Sequence, residues 1–178
     1  MNIGQIIAND VANGPGIRLS MFVSGCRIHC KGCFQPQTWD FCYGVPFTDE
    51  TLRYIMEELG KPQYAGLTIL GGEPFEPENQ PVLVEILRAV RGAHPEKSVW
   101  MYSGCTWDEL AGNMPDAPHR TAETDELLRL VDVLVAGPFE MAKKDISLRY
   151  RGSSNQQVID IVETLGRPSS KPPVLLPL

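Results

Sequence analysis

The chain predicts an α/β fold, a single-domain partial β/α barrel with a mainly parallel sheet. Three observations lead there. Stretches of strand periodicity alternate with stretches of helical periodicity, which implies parallel strands joined by right-handed crossovers. Four strands run directly into glycine-bearing loops, at Gly25-Cys26, Gly71-Gly72-Glu73, Ser103-Gly104 and Gly137-Pro138, and in barrel-like sheets such strand ends share the face that carries the active site. At 178 residues the chain suffices for one domain but falls short of the roughly 250 residues of an eight-fold barrel. Closure should therefore be incomplete, with a lateral opening for a large substrate.

The elements follow in order. Asn13-Gly14-Pro15-Gly16 is turn chemistry. Residues 17–23 alternate, with Ile17, Leu19, Met21 and Val23 on one face and Arg18, Ser20 and Phe22 on the other, as a strand does. A helix starts near Thr48, its apolar positions Leu52, Ile55, Met56 and Leu59 spaced i, i+3, i+4 and i+7, and Gly60 stands at its stop. Leu67 to Leu70 reads as a short buried strand. Gln80 to Arg91 reads as a helix with Asn79 as its cap, Pro81 in its first turn, and Gly92 as its end. Val99 to Tyr102 is a third strand. Thr106-Trp107-Asp108-Glu109 has capping-box spacing and opens a short helix. After a proline-bearing loop, a helical segment from Thr124 to Leu130 precedes a strand from Asp132 to Ala136. Val158 to Val162 is a last candidate strand. Residues 1–166 form the domain, and the proline-rich stretch 167–178 is expected to be a flexible tail.

With 43% apolar and 21% charged residues, the composition is that of a globular protein and excludes general disorder. A net charge of −6 gives no basic footprint for a nucleic acid. No apolar run approaches the about 20 residues of a membrane span, and the start Met-Asn-Ile-Gly-Gln lacks signal-peptide regions. The cytoplasm is the expected location, where clustered cysteines point to metal binding or catalysis rather than disulfides.

Three of the five cysteines, Cys26, Cys30 and Cys33, fall within one short run, Gly-Cys-Arg-Ile-His-Cys-Lys-Gly-Cys-Phe from Gly25 to Phe34. Thiolates are soft ligands that select zinc, copper(I) or iron-sulfur clusters. A structural zinc site takes four protein ligands, so a zinc knot would need His29 or Cys42 as the fourth. Three cysteines on a 4Fe-4S cluster instead leave one iron open for chemistry.

The Cys-x3-Cys-x2-Cys spacing resembles the signature of the radical S-adenosylmethionine enzymes. Together with Asn13-Gly14-Pro15-Gly16-Ile17-Arg18, Thr38-Trp39, Gly71-Gly72-Glu73-Pro74, Tyr102-Ser103-Gly104, Gly137-Pro138-Phe139 and Arg151-Gly152-Ser153-Ser154-Asn155-Gln156, the chain resembles the glycyl-radical activating enzymes. Within them it is most similar to the branch acting on anaerobic ribonucleoside-triphosphate reductase. The resemblance implies that Cys26, Cys30 and Cys33 ligate a 4Fe-4S cluster. One electron then cleaves S-adenosylmethionine to methionine and a 5′-deoxyadenosyl radical, which removes a hydrogen atom from a glycine of the partner reductase. It implies further that Gly71, Gly72 and Glu73 take the amino end of S-adenosylmethionine, that Gly32 and Phe34 lie by its adenine, that Ser103 belongs to the same cofactor site, and that a low-potential donor such as flavodoxin supplies the electron. A related activase for pyruvate formate-lyase or another glycyl-radical enzyme is the neighbouring alternative; a zinc-stabilised binding module without catalysis is the alternative of another class. Gln35 and Ala136 stand where many relatives carry Asn and Asp.

The remaining residues have plainer expectations. Cys42 and Cys105 read as small buried apolar side chains, His29 as solvated or supporting a ligand, and Trp39 and Trp107 as packing residues. Arg18 and Arg151 read as surface charges or as holders of the partner or of the cofactor carboxylate. Lys143 and Lys144 read as a solvated loop face.

Overall fold

A computed structural model describes residues 1–177; Leu178, the end of the expected tail, lies outside them. Eight strands form one sheet: β1 (Asn2–Asp10), β2 (Ile17–Val23), β3 (Val45–Pro46), β4 (Tyr64–Gly71), β5 (Ser98–Ser103), β6 (Val133–Ala136), β7 (Gln157–Asp160) and β8 (Val174–Leu175). Their order across the sheet is β3-β1-β2-β4-β5-β6-β7-β8. Five helices accompany them: α1 (Asp49–Leu59), α2 (Gln80–Ala93), α3 (Trp107–Leu110), α4 (Thr124–Arg129) and α5 (Ile161–Leu165).

The α/β class stands, but the mainly parallel sheet is corrected to a mixed one. Only the central β2-β4, β4-β5 and β5-β6 pairings are parallel, whereas β1-β2, β1-β3, β6-β7 and β7-β8 are antiparallel. Connection type explains this. The central strands joined through α1, through α2, or through α3 and α4 return in the same direction by a crossover, whereas the turn at residues 11–16, the excursion before β7 with only a 3-10 turn at Met141–Lys143, and the connection through the short α5 reverse the chain. The expected partial barrel is not established by this open order.

Several boundaries differ from expectation. β1 (Asn-Ile-Gly-Gln-Ile-Ile-Ala-Asn-Asp) lacks a clean apolar alternation and is not among the expected strands. α2 runs through Gly92 to Ala93, because a solvent-facing glycine costs a helix only about 1 kcal/mol. Asn79 makes no side-chain cap there; it is occupied elsewhere, as described below. The last candidate strand splits into β7 and α5, with Asp160 accepting from the Glu163 amide at the helix start. The capping box at Thr106 and Glu109 and the Thr48 cap are as expected.

The sheet's two faces are unequal. On one, Leu19, Met21, Leu67, Ile69, Val99, Met101 and Leu134 pack with Ile55, Leu59, Leu83, Leu87 and Leu127 of the helices in the main core. On the other, alternation puts Trp100, Val133, Val135 and Val158 in a smaller cluster with Tyr102, Tyr150 and Leu176.

Arg18 is fully buried, which corrects both expectations for it. Its Nε donates to Thr68 Oγ1 (2.6 Å), and its Nη atoms reach Leu67 O (2.7 Å), Ser98 O (2.8 Å) and Ser98 Oγ (3.0 Å). The guanidinium also lies 5.7 Å from the Trp100 ring centre. A Cβ at Gly14 would stand 2.7 Å from Arg18 Cδ. The glycine-proline turn is therefore wrapped around this arginine and joins β2, β4 and β5 at their starting ends.

Candidate active site

The cysteine loop leaves β2 and returns beside itself. Ser24 N donates to Asn2 O (3.0 Å), Gly25 N to Thr38 O (2.8 Å) and Cys26 N to Trp39 O (3.2 Å). A short 3-10 turn, Pro36–Trp39, closes the loop. Inside it Cys33 N donates to Cys30 O (3.0 Å), and Gly32 takes φ +81°, where a Cβ would overlap the Met141 methyl. His29 is exposed and stacks on Trp39 with ring centres 4.4 Å apart.

The loop after β4 is fastened directly to this one. Gly72 N donates to Val23 O (2.8 Å) and Glu73 N to Gly25 O (2.7 Å). Asn79 Nδ2 bridges both, donating to Ser24 O (3.0 Å) and Glu73 O (2.9 Å), which is why it does not cap α2. Gly71 has φ +113°, and a Cβ there would lie 2.7 Å from Val23 O; only glycine lets β4 end this close to β2.

Glu73 is 1% exposed. Its Oε1 accepts from Phe75 N (2.9 Å) and Ser103 Oγ (2.8 Å), and its Oε2 accepts from Gly104 N (2.7 Å). Burial nevertheless outweighs these three donors and pushes its carboxyl up to about 7. Ser103 in turn accepts from Cys105 N (2.9 Å), so the strand end after β5 holds the carboxylate in place.

All nine sequence-predicted site residues line one cavity of about 500 Å³: Cys26, Cys30 and Cys33, Gly32 and Phe34, Gly71, Gly72 and Glu73, and Ser103. Phe34 is 77% exposed and stands at the rim. Sequence reasoning missed Tyr102 and, Arg151 apart, the hairpin that follows Gly137 as walls. That hairpin is pinned at its base, where Gln156 Nε2 donates to Gly137 O (3.0 Å), Asn155 Nδ2 to Pro138 O (2.8 Å) and Ser154 N to Lys143 O (2.9 Å). Its Lys144, Ile146, Tyr150 and Arg151 face the same cavity. The available signal was the long polar stretch between two strands. Among the described residues the buried Tyr102 hydroxyl and Arg151 Nε have no hydrogen-bond partner.

The donor set suits an iron-sulfur cluster. Among the described residues no cysteine is in a disulfide, the three clustered cysteines border one space, and Gln35 N points at Cys33 Sγ (3.4 Å), the kind of amide contact that tunes a cluster sulfur. Burial pushes the Cys26 thiol up to about 11 and raises Cys30 as well, so the metal-free loop holds neutral thiols that must lose protons on loading. A zinc knot fits less well. Cys42 is exposed, which corrects its expected burial, and neither it nor His29 lines the cavity. Among the described residues no three His, Cys, Asp or Glu side chains converge on a single-ion site. Cys105 is buried as expected, and burial raises its thiol strongly. Lys143 and Lys144 are exposed as expected. Among the described residues no helix is long and apolar enough to cross a membrane.

Comparison with known proteins agrees with this chemistry. A family model described as a 4Fe-4S single cluster domain matches residues 12–159. Proteins named anaerobic ribonucleoside-triphosphate reductase-activating protein are similar over nearly the whole chain. The one from Pasteurella multocida (strain Pm70) is 38% identical, covering 88% of this chain and 95% of its own. That from Haemophilus influenzae is 37% identical, covering 88% and 96%, and that from Escherichia coli (strain K12) is 36% identical, covering 89% and 97%. No solved structure matches.

Proposed function

From the premise that the chain belongs to the family of anaerobic ribonucleoside-triphosphate reductase-activating proteins, with a 4Fe-4S single cluster domain, we propose that it is a radical S-adenosylmethionine activase that installs a glycyl radical on anaerobic ribonucleoside-triphosphate reductase. The observation that carries this reading is the direct fastening of the Gly71-Gly72-Glu73 loop to the cysteine loop around one cavity. Cys26, Cys30 and Cys33 would hold the cluster. When bound, it would supply the electron for reductive cleavage of S-adenosylmethionine, the chemistry by which a hydrogen atom would be removed from a glycine Cα of the reductase.

The chain's own residues bind and orient. Glu73 accepts the cofactor's ammonium on the oxygen that receives only Gly104 N, while Ser103 acts through Glu73 by fixing its other oxygen. Tyr102 and Arg151 are the donors left over for the cofactor carboxylate. Gly32 and Phe34 would receive the adenine at the rim, and the hairpin carrying Ile146 and Tyr150 forms one side of the cavity. A low-potential protein such as a flavodoxin is the electron donor, and the cytoplasm the place of work.

The test is anaerobic. Protein loaded with iron and sulfide, reduced, and given S-adenosylmethionine is expected to release 5′-deoxyadenosine and, with the reductase present, to produce a glycyl radical signal; Cys30→Ala is expected to abolish both. Bound zinc with no product would overturn the reading, and product without a radical on the reductase would move the target to another glycyl-radical enzyme.

A further inference from the structure

Directly after Cys26, the amide of Arg27 has no backbone partner. Instead it donates to Glu76 Oε1 at 2.6 Å, on a side chain that is fully buried. Glu76 belongs to the turn between β4 and α2, where its N donates to Glu73 O (3.1 Å) and its carbonyl accepts from Asn79 N (2.8 Å). Its other carboxylate oxygen meets the Arg27 guanidinium, which also pairs with Glu78 and lies 4.4 Å from the Phe41 ring centre. His119 Nε2 approaches the same carboxylate at 3.5 Å.

We infer that Glu76 is a positioning residue for the cluster, setting the direction in which the chain leaves Cys26 by accepting the Arg27 amide. The amides of Gly25 and Cys26 are held by the loop's own closing 3-10 turn, at Thr38 O and Trp39 O. The third is held from outside, by the element that also carries Glu73. Three consecutive amides are thereby fixed in two directions, which leaves Cys26 little freedom and ties its orientation to that of the Gly71-Gly72-Glu73 loop. The acceptor is the part that matters. The Arg27 side chain is 54% exposed and its pair with Glu78 faces water, where such pairs are weak; the Glu76 carboxylate is buried, with His119 beside it, and an unsatisfied amide at this point would release the turn.

The inference rests on Cys26 being a cluster ligand, and three variants separate the amide contact from the ion pair. Glu76→Leu removes the acceptor, Glu76→Gln keeps an acceptor without the charge, and Arg27→Ala removes the guanidinium but keeps the amide. In metal-free protein the rate of Cys26 alkylation by iodoacetamide, read by peptide mass spectrometry, is expected to rise about tenfold in Glu76→Leu and less than threefold in the other two. Cys105, buried in the core, reports folding and should stay protected. In iron-sulfide-loaded protein the reduced-cluster paramagnetic resonance spectrum and the midpoint potential should change in Glu76→Leu and match the unsubstituted protein in Glu76→Gln. Unchanged Cys26 reactivity in Glu76→Leu would overturn the inference, as would an Arg27→Ala variant perturbed equally. If Glu76→Leu exposes Cys105, the comparison of Glu76→Gln with Arg27→Ala decides: both near the unsubstituted protein supports the amide contact, and either one released refutes it. Failure of the unsubstituted protein to take up iron would instead refute the cluster reading, since alkylation reports the loop without it.

Discussion

Lowering the pH from 7 to 6 should weaken S-adenosylmethionine binding about fivefold, because Glu73 has to be ionised to receive an ammonium. Burial lifts this carboxyl to about 7 even with Phe75 N, Ser103 Oγ and Gly104 N donating to it. At pH 7 about half of the molecules carry the anion and at pH 6 about a tenth, and apparent affinity scales with the competent fraction, so the change is about 1 kcal/mol. The cofactor's own amine, with an ordinary value of about 7.7–8.0, stays protonated throughout this window and does not confuse it. Equilibrium dialysis of labelled S-adenosylmethionine under anaerobic conditions is the assay. Glu73→Gln should bind weakly with no slope. Ser103→Ala, lacking one donor to the anion, should shift the steep region upward by about one pH unit. A flat profile in the unsubstituted protein, or an equal slope in Glu73→Gln, would refute the assignment of Glu73 to the ammonium.

The same group governs the stability of the metal-free fold. Its folded value lies above the 4.5 of an unperturbed glutamate, so the contribution is fully present below about pH 4.5 and is lost as pH rises through about 7. At pH 8 Glu73→Gln should therefore be more stable than the unsubstituted protein by up to about 3 kcal/mol in urea unfolding. At pH 4 the difference should vanish.

Arg18→Met should destabilise the metal-free protein by about 3 kcal/mol, since it strands the carbonyls of Leu67 and Ser98 in the interior; chemical denaturation measures it, and a loss under 1 kcal/mol would mean that Arg18 is not the staple of the turn. Gly71→Ala forces an alanine to φ +113° with its Cβ 2.7 Å from Val23 O, so a loss of about 2 kcal/mol or more and abolished S-adenosylmethionine binding are expected; crystallography of the variant would show Glu73 displaced, and an unmoved Glu73 would contradict this account. Cys42→Ser should leave iron and sulfide content and 5′-deoxyadenosine formation unchanged, because Cys42 is exposed and borders no part of the cavity; loss of metal would revive a four-ligand site.

The candidate site was legible in the chain where chemistry demands particular residue types. Cysteines at short spacing and glycines at strand ends are local signals, and the cavity gathers the residues they marked. The sheet was less legible because parallel and antiparallel pairing are decided by connections: the reversals into β2 and β7 come from segments without an α-helix, and β1 lacks a clean apolar alternation. Arg18 shows the limit most clearly. Alternation along β2 put it opposite the apolar face, which reads as solvent, but that second face is also covered, and an arginine there is tolerable only because carbonyls and a threonine from two other strands converge on it. Cys42 is the converse, apolar by habit but left exposed in the turn that follows the 3-10 segment.

Two polar residues of the segment between β4 and α2 share one task. Asn79, expected at a helix cap, instead bridges the two loops, and Glu76, a turn carboxylate by appearance, instead holds the amide after Cys26. Both sit at the start of α2, on the same segment as Glu73. A short stretch of chain thus presents one carboxylate to the cofactor site and anchors the cysteine loop with two other side chains. Placement of the two loops then depends on one shared segment rather than on their independent positions, which is what the proposed hydrogen abstraction from a bound polypeptide would require of its geometry.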